Sequence, residues 1–376
     1  MNEQQLTAFL EDLHRHPELS MRETRTAGKI REALTAAGVE LLPCSLPTGV
    51  IAAIRGAKPG RTIGLRADMD ALPIDEESGL PYASETPGVM HACGHDFHTS
   101  CVLGAALLLA ERREALAGTV LVAFQPGEET SDGGKIMARE PALAGAGEFY
   151  ACHTYPAFPA GTLGLKPGPV MAAPDAFTLT IRGKGTHAGN PHFGIDPIPA
   201  AAALILSAQT LITRGKDAFE PAVLSFAHVQ AGNTWNIIPE EVRVEGTLRT
   251  LDEDLRRTLR RRLGEMADLT ARAYGCGAEI RWDIGPGPVM NDPELCRWAE
   301  FLAREMGFTV APQANTMGGE DFSEYLRDVP GLFVRVGTGG GYTNHHPKFT
   351  ADEKALWPAA CFFAELAMRR AALPNP

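Results

Sequence analysis

The chain has 376 residues, 44% of them hydrophobic and 22% charged, which excludes wholesale disorder, a collagen-like fibre and a coiled coil. At this length two domains are expected. Its 35 Lys and Arg against 46 Asp and Glu leave a net charge of −11, so bulk electrostatics oppose nucleic-acid and anionic-membrane partners. The start, Met1-Asn2-Glu3-Gln4-Gln5, shows neither a basic n-region nor an apolar h-region. The longest apolar stretches, Cys101–Ala110 and Ala200–Ser207, fall short of the ~20 residues of a membrane span, so a soluble, cytoplasmic protein is expected. Seven cysteines, odd in number and irregularly spaced, read as reduced thiols and mostly as small core residues.

In chain order, Ser20-Met-Arg-Glu23 has the pattern of a capping box opening a helix to about Ala37, closed by Gly38. Gly49–Arg55 and Thr62–Ala67 read as strands, Gly94–Arg112 as an apolar helix, and Thr119–Phe124 as a strand buried on both faces. Strands alternating with helices predict a mostly parallel sheet with helices on both faces. Near Pro174 the pattern changes. Phe177–Arg182 alternates apolar and polar residues; a helix follows (about Ile195–Leu211), then strands at Val223–Val229 and Val242–Leu248, a charged helix at about Asp252–Ala273 and a strand near Ala278–Trp282. That β-α-β-β-α-β order predicts a smaller split βαβ domain with one open sheet face or edge, a natural dimer surface. After Gly285-Pro-Gly-Pro288 the α/β pattern resumes, with helices at Pro293–Met306, Phe322–Leu326 and Asp352–Arg370 and a strand at Leu332–Val336.

Five segments carry side chains capable of chemistry. His91-Ala-Cys93-Gly-His95-Asp96-Phe-His98 gathers three His, a Cys and an Asp at the start of an apolar helix, where the helix N-terminus favours a thiolate at Cys93. The group reads either as metal ligands or as an ordinary polar helix start. Glu128 and Glu129 follow a buried strand, where α/β sheets place their sites; one can hold a metal while the other acts as a base, or the pair is a solvated acidic turn. His153, after the apolar run Phe149–Cys152, is a ligand at a strand end or a buried histidine bonded to backbone. His345 and His346 follow the glycine-rich loop Gly337–Gly341. Asp68 and Asp70 end a strand and are candidates for capping it. Together these supply Cys, His and Glu at the strand ends of one sheet, a donor set that suits zinc, with manganese, cobalt or nickel as alternatives. Five ligands exceed the needs of one catalytic ion and fit a pair bridged by thiolate. No phosphate-binding G-x-x-x-x-G-K-[ST] loop and no G-x-S-x-G nucleophile elbow occurs.

Leu65-Arg-Ala-Asp-Met-Asp-Ala-Leu-Pro73, His91-Ala-Cys-Gly-His-Asp96, Phe124-Gln-Pro-x-Glu-Glu129, Gly185-x-His187-Ala, Asn236-x-Ile-Pro239, Gly246-x-x-Arg249 and Gly319-Glu-Asp-Phe-Ser323 occur in this order. Over nearly the whole chain they resemble the metal-dependent amidohydrolases of the aminoacylase and carboxypeptidase G superfamily, in the branch of hippurate and indole-acetyl-amino-acid hydrolases. The resemblance implies an α/β catalytic domain (1–173 and 288–376) interrupted by a lid and dimerisation domain (174–287). It implies two divalent metal ions, with Cys93 bridging, Glu129 and His345 completing one site, and His95 and His153 the other. His345 is taken before His346 because the family's ligand lies two residues before Pro. Glu128 would be the general base, His187 would reach the partner subunit's site in a homodimer to stabilise the oxyanion, and Asn236 and Arg249 would hold the substrate's carboxylate. Asp70 and Asp96 match positions behind the ligands, and Asp68 stands where other branches have a metal His. The implied activity is metal-dependent hydrolysis of the amide bond of N-acyl amino acids. A dipeptidase or carboxypeptidase on the same site, or an inactive metal-binding scaffold, are the alternatives. Departures at Gly127, Thr130-Ser-Asp132, Gly189-Asn190 and Gly318 leave ligands and base in place but open the choice of acyl group and amino acid.

Overall fold

A computed structural model describes residues 1–374. In chain order its elements are α1 (Glu3–Arg15), α2 (Thr24–Ala36), β1 (Glu40–Leu42), β2 (Val50–Arg55), β3 (Lys58–Asp68), α3 (His95–Glu111), β4 (Ala117–Gln125), α4 (Gly133–Met137), β5 (Glu148–Tyr155), β6 (Thr162–Leu165), β7 (Gly168–Met171), β8 (Ala173–Arg182), β9 (Thr186–His187), α5 (Pro197–Thr213), β10 (Ala222–Ala231), β11 (Ile237–Ile238), β12 (Glu241–Thr250), α6 (Glu253–Ala273), β13 (Gly277–Asp283), β14 (Val289–Asn291), α7 (Pro293–Glu305), β15 (Thr309–Pro312), β16 (Gly331–Gly337) and α8 (Leu356–Ala371). The chain divides into two compact units. One comprises Met1–Val170, Met290–Ala314 and Asp321–Pro376, the other Met171–Val289 and Asn315–Glu320. The second therefore takes in eleven residues that lie outside 174–287, namely 171–173, 288–289 and 315–320.

The first unit is built on an eight-stranded sheet in the order β1-β2-β4-β3-β5-β16-β6-β15. Its middle pairings, β4–β3, β3–β5 and β5–β16, are parallel, as is β6–β15; the pairings β1–β2, β2–β4 and β16–β6 are antiparallel. Val120, Leu121, Val122, Ala123 and Phe124 of β4 are all buried, as a strand covered on both faces requires. α3 is apolar on every side and almost wholly buried, which makes it an interior helix. It packs tightly against α1 and α8: a Cβ on Gly104 would meet Leu6 at 2.7 Å and Ala360 at 3.0 Å.

The second unit has a four-stranded antiparallel sheet, β10-β12-β8-β13, with α5 and α6 packed on it. This is the β-α-β-β-α-β order expected from the sequence. Phe177, Leu179 and Ile181 of β8 face a core shared with Val242, Val244, Leu204 and Leu259. Asp175, wholly buried, is held by Arg256 Nε at 2.9 Å and by the backbone N–H of Gly285 at 3.1 Å.

Several expectations are corrected. The Ser20–Glu23 capping box does not form: α2 starts at Thr24 with Glu23 as its cap residue and no side-chain cap bond. Ser20 Oγ instead donates to Asp70 at 2.6 Å, and Glu23 accepts the N–H of Met21 and of Gly127. α5 begins at Pro197, because Asp196 caps Ile198 N–H and Pro is at home in a first turn. Asp352 caps a short 3₁₀ turn, Glu353–Ala355, and α8 begins only at Leu356; Asp321–Leu326 is likewise 3₁₀.

The C-terminal end of α1 is tied to the start of α3 by a buried ionic group. His14 Nδ1 lies 2.6 Å from Asp96 and Nε2 lies 3.1 Å from Glu76. Burial opposes charge on His14, but Asp96 and Glu76 outweigh it and raise its pKa from 6.5 to about 10. Because the folded value is the higher one, this stabilisation is complete below about pH 6.5 and is lost as pH rises through about 10. Resistance to urea should accordingly decline from pH 7 to pH 10 in the wild type, and His14→Gln should lack that part of the slope. Parallel pH profiles for the two proteins would remove His14 from this role.

Candidate metal centre

The candidate residues of the first unit converge from strand ends and one loop. β3 ends at Asp68, with Asp70 two residues on; β4 ends at Gln125, ahead of Glu128 and Glu129; β5 carries His153. These three strands are parallel neighbours, so their C-terminal ends lie side by side. Cys93 and His95 sit where the chain enters α3. Gly94 between them has φ 84°, and a Cβ there would come within 2.6 Å of Thr154 Oγ1, so only glycine lets this turn seat against β5. His345 arrives from the loop after β16. Its backbone is left-handed (φ 67°), and its N–H donates to Ala92 O at 2.8 Å. Asn344 Nδ2 donates to Cys93 O at 3.0 Å and fastens the same loop to the Cys93 turn.

Several groups of potential ligand atoms result, and two of them include Cys93. Cys93, His95 and His153 form one; Cys93, Glu129 and His345 form the other; within each, the atoms all lie within 4.8 Å of one another. Cys93 belongs to both. Hydrogen bonds settle the tautomers. His153 Nδ1 must donate to Thr154 O at 2.8 Å, leaving a lone pair on Nε2, 3.4 Å from Cys93 Sγ. His95 Nδ1 faces Asp70 Oδ1 at 3.3 Å, so its Nε2 is the nitrogen turned toward the centre; burial opposes a proton there, but Asp68 and its neighbours outweigh it, and a cation would displace that proton to use the lone pair. That Nε2 and Glu129 Oε1 are buried and have no hydrogen-bond partner, although His345 Nε2 approaches Glu129 Oε1 to 3.3 Å. Orphaned buried polar atoms are costly, and a shared cation is what would satisfy them. Burial pushes the Cys93 thiol well above its ordinary value against the opposing pull of His95, so a helix N-terminus does not by itself give the thiolate expected here. α3 in fact begins at His95, beyond Cys93. A cation at the sulphur would deprotonate it. The residues therefore fit a pair of cations sharing Cys93.

Asp70 and Asp68 are not mere strand caps. Asp70 accepts the N–H of Glu128 and of Glu129, each at 3.0 Å, besides Ser20 Oγ and His95. Burial raises its pKa, but the bonds to His95 and the other donors outweigh this and hold the carboxyl below its ordinary range. Asp68 accepts from Arg66 at 2.8 Å and from His98 Nδ1 at 2.7 Å, while His98 Nε2 accepts the N–H of Thr154 at 2.7 Å. Both ring nitrogens of His98 are thus committed, so the grouping of Asp68, His95 and His98 offers a cation no lone pair from His98. Asp96 is engaged with His14. His91 stands outside the centre, neutral because burial lowers its pKa to about 4. His346 stacks on Tyr342 at 4.4 Å and accepts the N–H of Lys348. Ser20 and Glu23, read from the sequence as a local capping box, are the participants whose part in the centre was missed; His98, read there among possible ligands, is instead committed to Asp68 and Thr154.

In the second unit His187 lies on β9, paired with Ile237 of β11. Asn236 O accepts the N–H of Ala188, so His187 and Asn236 share one short ribbon. Gly189 N–H donates to His187 Nδ1 at 3.0 Å, which leaves the proton on Nε2 of this exposed ring. Thr234 Oγ1 donates to Asn236 Oδ1, and Arg249 Nη1 on β12 donates to Met317 O at 2.7 Å.

A sheet with carboxylate, thiol and imidazole donors at its strand ends defines a metal-dependent hydrolase of the α/β class. The chain belongs to the peptidase family M20/M25/M40, whose model matches residues 64–369. It is 44% identical over 358 residues to an N-acetylcysteine deacetylase of Bacillus subtilis, covering 95% of this chain and 94% of that protein. It is 36% identical to a thermostable carboxypeptidase of Saccharolobus solfataricus, over 95% and 93% of the two chains. A crystal structure of a dinuclear metal-binding M20 peptidase from Bacillus subtilis superposes with a TM-score of 0.89 at 41% identity, covering 98% of each chain.

Asp70→Asn replaces an all-acceptor carboxylate by a group with one donor facing N–H groups. Competition with a chelator should show divalent-metal affinity lowered by about 10–100-fold. Unchanged affinity would mean that Asp70 does not orient His95 and Glu129 for a cation.

Proposed function

We propose that the protein hydrolyses the amide bond of N-acyl amino acids, using two divalent cations held through Cys93. The observation that carries this is the convergence of two donor sets on one thiol, with His95 Nε2 and Glu129 Oε1 left as orphaned buried polar atoms. Zinc is the first choice, with manganese, cobalt or nickel as alternatives. When bound, such ions acidify water and polarise the amide carbonyl.

The remaining steps belong to side chains of this chain. Cys93, His95 and His153 would hold one ion, and Cys93, Glu129 and His345 the other. Glu128 takes a proton from the attacking water on its carboxylate and delivers it to the leaving amine nitrogen. The turn that carries it is fixed by Asp70, so the carboxylate need not be ordered at the moment of reaction. The Nε2–H of His187 donates to the oxygen on which negative charge develops, and the tautomer set by Gly189 supports this role. Arg249 and the Nδ2 amide of Asn236 bind the substrate's carboxylate. His187 acts on the partner subunit's site in a homodimer formed through the lid domain, residues 174–287, while residues 1–173 and 288–376 carry the ligands. No helix of the described residues is long and apolar enough to cross a membrane, and the site of action in this reading is the cytoplasm. The carboxypeptidase relative favours a second reading, cleavage of a peptide's C-terminal residue on the same centre.

Amine release from N-acetyl, N-benzoyl and aryl-acetyl amino acids beside dipeptides, with metal-depleted and metal-restored protein, separates the readings. We expect turnover on N-acyl amino acids that is lost on depletion and regained with metal; turnover confined to dipeptides would establish the peptidase instead. Glu128→Gln should keep its metal content and lose at least about 10²-fold in turnover, and near-normal turnover would exclude Glu128 as the base. Mixed dimers of Glu128→Gln and His187→Ala should regain activity by pairing one intact base with one intact histidine; mixed dimers as inactive as either parent would rule out action across subunits.

A further inference from the structure

We infer that Glu23 is a positioning residue for the general base: its buried carboxylate clamps the turn that aims Glu128. The inference rests on the assignment of Glu128 under Proposed function and extends it to a residue that touches neither substrate nor metal.

Three consecutive backbone N–H groups, those of Gly127, Glu128 and Glu129, point at buried carboxylates. Glu128 and Glu129 donate to the two oxygens of Asp70. Gly127 donates to Glu23 Oε1 at 2.9 Å. The same oxygen takes the N–H of Met21 at 2.8 Å. Glu23 is fully buried, and so is its bond to Gly127. A hydrogen bond to an ionisable oxygen in so dry a place holds its geometry closely.

The two donors share a peculiarity. Met21 (φ 63°) and Gly127 (φ 65°) both adopt left-handed backbone, although about a hundred residues separate them. For Met21 that conformation is uphill. At Gly127 a Cβ would meet Met21 Sδ at 2.8 Å, so the two turns press on each other directly. One carboxylate oxygen holds both turns in place. Gly127 O in turn receives the N–H of Gly133 and the hydroxyl of Thr130, which closes the loop bearing Glu128 and Glu129. Released by Glu23, Gly127 would be free to swing by its own dihedrals, and Glu128 is the next residue. Glu128 and Glu129 share the restraint through Asp70, but Glu129 lies one residue further from Gly127 and also against His345, so the base should feel the loss more than the ligand does. A displacement of ~1 Å at a reacting group costs about 10²-fold in rate.

Reach and charge are separable here. Glu23→Asp keeps the charge but withdraws the oxygen by one methylene; Glu23→Gln keeps an acceptor oxygen at full reach and loses the charge. Both are conservative enough to leave the fold intact, and a thermal midpoint on each protein checks that. With N-acyl amino acid as substrate, Glu23→Asp should lower kcat by about 10-fold or more with KM within about 2-fold and metal content unchanged, whereas Glu23→Gln should stay within about 3-fold of wild type. Hydrogen exchange at the Gly127 amide, read in the same proteins without substrate, should be faster in Glu23→Asp than in Glu23→Gln or wild type. Wild-type kcat in Glu23→Asp, a Glu23→Gln variant as slow as Glu23→Asp, or unaltered Gly127 exchange would each overturn the clamp. If the wild type fails to turn over any N-acyl amino acid, the functional reading falls, and the exchange measurement alone decides the clamp.

Discussion

One buried carboxylate, that of Asp70, is the fixed point of the centre. It receives the hydroxyl of Ser20, the N–H of Glu128 and of Glu129, and a ring nitrogen of His95. These come from three separate stretches of chain: the segment before α2, the two residues of the turn after β4, and the first residue of α3. A carboxylate removed from water must be satisfied by several donors, and that demand brings these stretches together. The same logic repeats one layer deeper. Arg66, wholly buried, joins Asp68 to Asp321, and Asp321 accepts the N–H of Gly134 and the amide of Gln125. The apolar sheet supplies the rigid floor, but buried polar bonding sets where the functional atoms lie.

Much of this was legible in the sequence, and particular residues show why. β4 announced itself through an unbroken apolar run, α3 through an apolar stretch too long for a strand, and β8 through strict alternation. The motif order pointed to an inserted domain, since His345 must rejoin the site that Cys93 begins. What was not legible depends on partners distant in sequence. Ser20-x-x-Glu23 carries the local pattern of a capping box, yet each side chain finds a better partner, 50 residues away for Ser20 and 104 for Glu23. Local propensity loses whenever a buried group elsewhere needs the same atom. The strands β9 and β11 have two residues each, too few for any periodicity to register. Nor does a sequence record which nitrogen of His98, His153 or His187 bears the proton; that follows from neighbouring N–H and C=O groups.

The second unit relies on the same economy of means. His187 is exposed, and its orientation comes from a bond to Gly189 two residues away, on a ribbon anchored by Ala188 and Asn236. Its ring is thus set by local backbone and not by burial. A ring prepared in this way keeps its tautomer while remaining on the surface, which suits the role proposed for it across subunits.

The donors around Cys93 differ sharply in their access to water. The side chain of His95 is fully buried, whereas that of His345 is 54% exposed and hangs from a loop with three consecutive left-handed glycines, Gly339–Gly341. Two cations sharing this thiol would therefore not be equivalent. The one beside His95 would be walled in by protein, and the one beside His345 would face the solvent.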